Sequence, residues 1–168
     1  MPVEYVGRPV KRLEDPKLVT GADPYVNDVR LDGALVMAVV RSPHAHDRLV
    51  GIDTRPALTV RGVVGAWNAR ELLDGVGVIH RPVPDQALDT IHRRGHTLLA
   101  EEHVRYVGQP VAVVVAESVP AAADGAEAVA AGYDSLPAVV DAEAALADAP
   151  LLYPDRGSNG AQHEARAR

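Results

Sequence analysis

Residues 111–116, VAVVVA, form an unbroken apolar run rich in β-branched side chains. Gly108-Gln109-Pro110 precede it and Glu117-Ser118 follow it. Six residues suit a strand and are too few for an independent helix. A strand with one wet face would alternate apolar and polar positions. This one does not, so it reads as buried on both faces. No other stretch is so uniformly apolar, and it is expected to be the central strand on which the rest packs. The core must be aliphatic, because aromatic residues are 4% of the chain and Phe is absent.

Around that strand the other elements fall into an interleaved order. Residues 1–30 are broken by Pro2, Gly7, Pro9, Pro16, Gly21 and Pro24 and read as an arm. One short helix is expected there, with Asp15 as cap, Pro16 at its first position and Gly21 past its end. Strands are expected at 35–41, 48–53 and 63–67. A brief helix follows the second, capped by Asp53 or Thr54, and Asn68 caps a helical turn after the third. Residues 75–95 read as an excursion loop. Short strands are expected at 97–100 and 103–107, on either side of Glu101-Glu102. After the central strand, Ser118 and Pro120 open a helix of small residues over 121–131, presenting Ala122, Ala126, Val129 and Ala130, with Gly132 ending it. Strands at 133–134 and 138–140 and a helix from Asp141 to Leu146 complete the order. Residues 154–168 read as a frayed or partner-bound tail. Strand and helix do not alternate as in a doubly wound sheet, so the fold class is α+β, a small mixed sheet with helices packed on it.

Composition removes several functions. The formal net charge of -6 argues against nucleic acid or an anionic membrane as partner. The chain has no cysteine, which excludes disulfides, thiolate metal sites and a Cys nucleophile. No run is long enough to span a bilayer and no signal peptide is evident, so a cytoplasmic location is expected. His44-Ala45-His46 would put two rings on one face of an extended chain, but a metal needs further ligands, and a polar strand entry is the plainer reading. His92 and His96 are weaker still, with Gly95 between them and any helix. Glu101 and Glu102 are adjacent on an expected strand and so point apart. No nucleophile elbow, P-loop or dinucleotide fingerprint occurs. The residues assemble no catalytic, cofactor-binding or metal site.

Five strings nevertheless share one pattern: VGRPVKRLEDPKLVTG (6–21), with Tyr25 and Asp28 after it; RSPHAH (41–46); IDT (52–54); RYVGQPVAVVVAES (105–118); and YDSLPAVVDAEAAL (133–146). In this order and spacing the chain resembles the N-terminal a/b hammerhead domain of the large subunit in the xanthine dehydrogenase/aldehyde oxidase family, its carbon monoxide dehydrogenase-like branch above all. It departs at Asp23-Pro24 and at Gly132. The resemblance implies an a/b hammerhead fold. It also implies a place in a molybdenum hydroxylase that oxidises an aldehyde, an N-heterocycle or a related substrate with water. Electrons would leave through iron–sulfur and flavin subunits. The family's molybdopterin-binding and catalytic residues have no matching positions here, so molybdopterin is expected in a partner chain.

The resemblance thus implies a separately encoded piece of a large subunit, helping to wall the substrate funnel and not catalytic alone. The expected organisation is an arm (1–30), a hammerhead domain (31–150) and a tail (151–168). Expected partner contacts are Arg8 and Arg12 on the arm and Arg41, Ser42, Pro43, His44 and His46 at one corner. The competing account of each arginine is an exposed ion pair of little energetic weight. The competing function is a free-standing binding module, monomeric or homo-oligomeric, that kept the fold and lost the enzyme.

Overall fold

The computed structural model describes residues 5–29, 31–72, 97–147 and 150–160. The chain divides into two compact units, Met1–Ala34 and Leu35–Arg168.

The described residues of the first unit hold one helix, α1 (Asp15–Val19), and a 3₁₀ turn at Val26–Asp28. Pro16 sits in the first turn, where its missing N–H costs nothing. Asp15 does not cap the helix as expected. It begins the helix, and its Oδ1 accepts from Arg12 Nε at 2.8 Å. The Thr20 hydroxyl closes the far end on the Pro16 carbonyl at 2.7 Å, and Gly21 takes φ +71°. The helix buries no residue, and Val6, Leu13, Val19 and Val26 are almost fully exposed.

Among the described residues of the second unit, six strands form two three-stranded antiparallel sheets. The first has the order β1 (Val36–Arg41), β5 (Pro110–Ala116), β3 (Val63–Asn68). The second has the order β4 (His103–Val104), β2 (Asp47–Asp53), β6 (Ala130–Ser135). The α+β class and the central place of the Val-rich strand are as expected; the strands are shared between two sheets where one was anticipated. In β5, Val111, Ala112, Val114 and Ala116 are fully buried.

Helix α3 (Val119–Ala128) covers one face of the first sheet. Ser118 is its N-cap, with Oγ accepting from the Ala121 N–H at 3.3 Å. Ala121 and Ala122 pack with Ala116, Val36, Ala38 and Val63, while Ala57 from a 3₁₀ turn at Arg55–Thr59 joins Ala66 and Val114. Small side chains on the helix let it lie close to the sheet. The helix ends three residues sooner than the 131 expected. Its last alanines are drawn into β6, where Ala130 and Ala131 pair with Asp53 and Ile52. Ladder pairing outweighs their helix propensity, which is a weak preference.

Other differences have similar causes. Residues 97–100 form no strand, and the strand expected over 103–107 shrinks to β4, because a glycine turn at Gly108 (φ +88°) bends the chain back onto β1. Residues 138–140 are not a strand. Asn68 caps α2 (Ala69–Leu72) as expected, its Oδ1 accepting from the N–H groups of Arg70 and Glu71, while Glu71 accepts from the Asn68 N–H at 2.8 Å. Asp141 caps α4 (Ala142–Leu146), accepting from the Ala144 N–H. The excursion expected over 75–95, with His92 and His96 beside it, lies outside the described residues. Asn159 pins residues 150–160, accepting from the Leu152 N–H and donating to the carbonyls of Pro150 and Ala145.

One exposed pair at the end of β2 gives a pH test. Arg55 donates to both Asp53 carboxylate oxygens at 2.8 Å and also through its backbone N–H. The side-chain hydrogen bond is the main reason that Asp53 titrates at about 2 in place of 3.8. A depressed carboxylate contributes fully above the unfolded value, and the contribution is lost as pH falls through about 2. In an NMR titration of carboxyl carbons, Arg55→Ala should raise the Asp53 midpoint toward 3.8 without reaching it, since the backbone donor remains. An unmoved midpoint would refute the pairing.

Candidate functional site

Parts of three of the strings noted above meet at one corner of the second unit: 41–46, with Asp47 after it, 105–110 and 133–137. The corner starts where β1 ends. Pro43 cannot extend the ladder, so the chain turns, and the Ser42 side chain closes the turn. Its Oγ accepts from the His44 N–H at 3.0 Å and donates to the His44 carbonyl at 3.2 Å. The Ser42 backbone is clamped to the glycine turn: its N–H donates to the Gln109 carbonyl at 2.9 Å, and its carbonyl accepts from Gly108 at 2.7 Å. Arg41 Nη1 adds a bond to the Gly108 carbonyl at 2.9 Å. Gln109 Oε1 in turn accepts from the Arg105 N–H at 2.7 Å.

The other side of the corner is held by β6 and the bend after it. The His44 ring stacks on Tyr133 with centroids 4.7 Å apart, and its Nδ1 lies 3.1 Å from Asp47 Oδ2. Ser135 Oγ donates to the same carboxylate oxygen at 3.4 Å. His46 Nδ1 lies 2.7 Å from the Pro137 carbonyl, and the His46 carbonyl accepts from the Leu136 N–H at 3.0 Å. Burial is the largest influence on the Tyr133 hydroxyl and holds its titration above the usual tyrosine range. A hydrogen bond with Ser42 works against that shift, and the charge of Asp47 adds to it.

The expected contact residues therefore split by role. Ser42 is 2% exposed and His46 7%, so both face inward and shape the corner. His44 is partly exposed, while Arg41 and Pro43 are exposed. Tyr106 and Val107, on the glycine turn beside Arg41, are exposed large side chains that sequence reasoning passed over. It also missed Tyr133, whose partner lies 89 positions away and leaves no local signal. On the arm, Arg8 is exposed and makes no ion pair among the described residues, whereas Arg12 is paired with Asp15 at 2.8 Å.

The two histidine rings of the H-x-H pair are committed to different partners, Asp47 and the Pro137 carbonyl. Among the described residues no three His, Asp or Glu side chains come together as a metal cluster. Glu101 and Glu102 are exposed and border a cleft of about 170 Å³ with His103 and Arg105. Burial, then the charge of Arg105, pushes the His103 imidazole below its ordinary value. No helix among the described residues is long and apolar enough to cross a membrane.

A small α+β unit in which these strings converge defines a hammerhead-type domain, and the comparison with known proteins agrees. Residues 20–137 match the family described as aldehyde oxidase and xanthine dehydrogenase, a/b hammerhead domain, and the chain belongs to that family. It is 35% identical over 154 residues to the nicotine 6-hydroxylase large subunit of Paenarthrobacter nicotinovorans, covering 92% of this chain and 18% of the relative. It is 37% identical over 158 residues to the carbon monoxide dehydrogenase large chain of Afipia carboxidovorans, covering 90% and 18%. Among solved structures, quinoline 2-oxidoreductase from Pseudomonas putida 86 superposes with a TM-score of 0.72 at 37% identity, over 85% of this chain and 18% of that one. The chain thus spans about a fifth of the length of these relatives.

Proposed function

We propose that this chain is the hammerhead component of a molybdenum-containing hydroxylase complex in the cytoplasm, contributing structure and part of the substrate funnel. The observation that carries this reading is the coverage: nearly all of this chain matches less than a fifth of large subunits named for hydroxylation and dehydrogenation. Molybdopterin, which would supply the oxidation chemistry, is assigned to the rest of the large subunit, with iron–sulfur and flavin subunits taking the electrons. The chain's own residues do mechanical work. The inward bonds of Ser42, His46 and Asp47 fix the corner, and Arg41, Pro43 and His44 on it, with Arg8 and Arg12 on the arm, are the proposed contacts.

Affinity purification of the tagged chain from its source cells is the test. The expected result is a stoichiometric complex with a molybdopterin-holding polypeptide and no turnover of aldehydes or N-heterocycles by the chain alone. Turnover by the isolated chain would overturn the reading, and so would recovery of the chain alone.

A further inference from the structure

Helix α3 and the Arg55–Thr59 turn pack on one face of the first sheet, and Val111, near the start of β5, is buried with Ala100 and Val104. Val36, Ala38, Val114 and Ala116 point at α3. The alternate positions, Met37, Val39, Val113 and Val115, belong to no buried cluster among the described residues. Met37 is 61% exposed, and the other three are partly exposed. Across the sheet Gly65 pairs with Val115 and Trp67 with Val113. A methyl group at Gly65 would overlap the Trp67 indole, so this ring lies flat along the sheet and extends the same apolar surface. A solvated sheet face would carry polar residues at these positions. The sequence writes them as core.

We propose that this face is a docking surface, and that its occupant is the part of the hydroxylase large subunit that this chain does not span. The inference rests on the function proposed above. Two observations select the occupant. In the relatives this unit is under a fifth of one large subunit, so most of the polypeptide that can lie against it is elsewhere in that subunit. The size of the face also disfavours a second copy. Three strands about 4.8 Å apart and about five residues at about 3.4 Å each make a patch of roughly 240 Å². A specific interface needs roughly 800 Å² per partner. The face is too small to hold a homodimer by itself. It suits a partner that engages further surface in the same unit, such as the Arg41–Pro43 corner.

Met37 supplies the probe, since the chain has only two methionines and the other is Met1. Peroxide oxidation read by peptide mass spectrometry should be at least tenfold slower at Met37 in the complex recovered from source cells than in the isolated chain. Met37→Glu, on an exposed edge-strand position, should leave the thermal melt of the chain unchanged and cut recovery of the larger polypeptide at least tenfold. Asp124→Arg, exposed on α3, should leave recovery intact. Equal oxidation rates, slow oxidation already in the isolated chain, or a homodimer dispersed by Met37→Glu would each overturn the assignment. If the unaltered chain recovers no larger polypeptide, the proposed function falls with it. If it does, and Met37→Glu recovers as much, only the docking face falls.

Discussion

Gly125→Val is expected to destabilise the chain by about 2–4 kcal/mol, the upper range for forcing extra methyl groups into a packed core. Gly125 lies in α3 where the helix crosses the first sheet. A Cβ there would come within 2.8 Å of Val63 Cγ2 and 2.9 Å of Val114 Cγ1. Neither neighbour can yield easily. Both are β-branched and stiff at χ1, and Val114 is fully buried on the central strand. The helix must therefore lift, and Ala121 and Ala122 lose their seat against Ala38 and Ala116. A second effect has the opposite sign: replacing a mid-helix glycine by alanine favours the helix by about 1 kcal/mol. Gly125→Ala thus measures the contest directly. With two contacts under 3.0 Å, the overlap should win, leaving a net loss of about 1 kcal/mol or more. Urea unfolding with an unchanged slope gives both values. A Gly125→Val protein as stable as the parent would show that the helix does not approach the sheet this closely.

That close approach was half legible in the sequence. The run of alanines announces a helix meant to lie near something flat, and 111–116 announces what it lies on, because its apolar residues never alternate. Local signals of this kind also located the Asn68, Ser118 and Asp141 caps, where a short polar side chain precedes a helix. What the sequence hid was pairing. Nothing near Ala130 says that it will desert a helix for a strand, since the cause is β2, nearly eighty positions earlier. The division of the strands between two sheets is hidden for the same reason: strand propensity does not name the neighbour. The corner was visible as separate strings and invisible as a place. His44 and His46 invite a metal when read together, yet Asp47, Tyr133 and Pro137, which divide them, are brought in by the fold.

Asp47→Ala tests whether those long-range contacts hold the corner. The residue is 3% exposed, and one carboxylate oxygen serves both His44 Nδ1 and Ser135 Oγ. Removing a buried carboxylate relieves its desolvation, which argues for a small effect. Against this stand two lost hydrogen bonds, both to the carboxylate, and the space left where it was packed. His44 and Ser135 both reach solvent and can find water, so the larger penalty of an abandoned buried partner does not arise. The balance is a loss of about 2 kcal/mol, with Asp47→Asn, which keeps the shape, losing about half as much. A second readout separates charge from shape. The Asp47 charge helps hold the Tyr133 phenol protonated, after burial as the main cause. A group raised in this way costs stability as pH climbs past the ordinary value of 10.0, where the unfolded chain ionises first. Both Asp47 variants should therefore lower the Tyr133 midpoint, followed by NMR of the ring carbon bearing the hydroxyl, while burial keeps it above 10.0. A midpoint that stays put in both, with stability unchanged, would mean that Asp47 does not organise this corner.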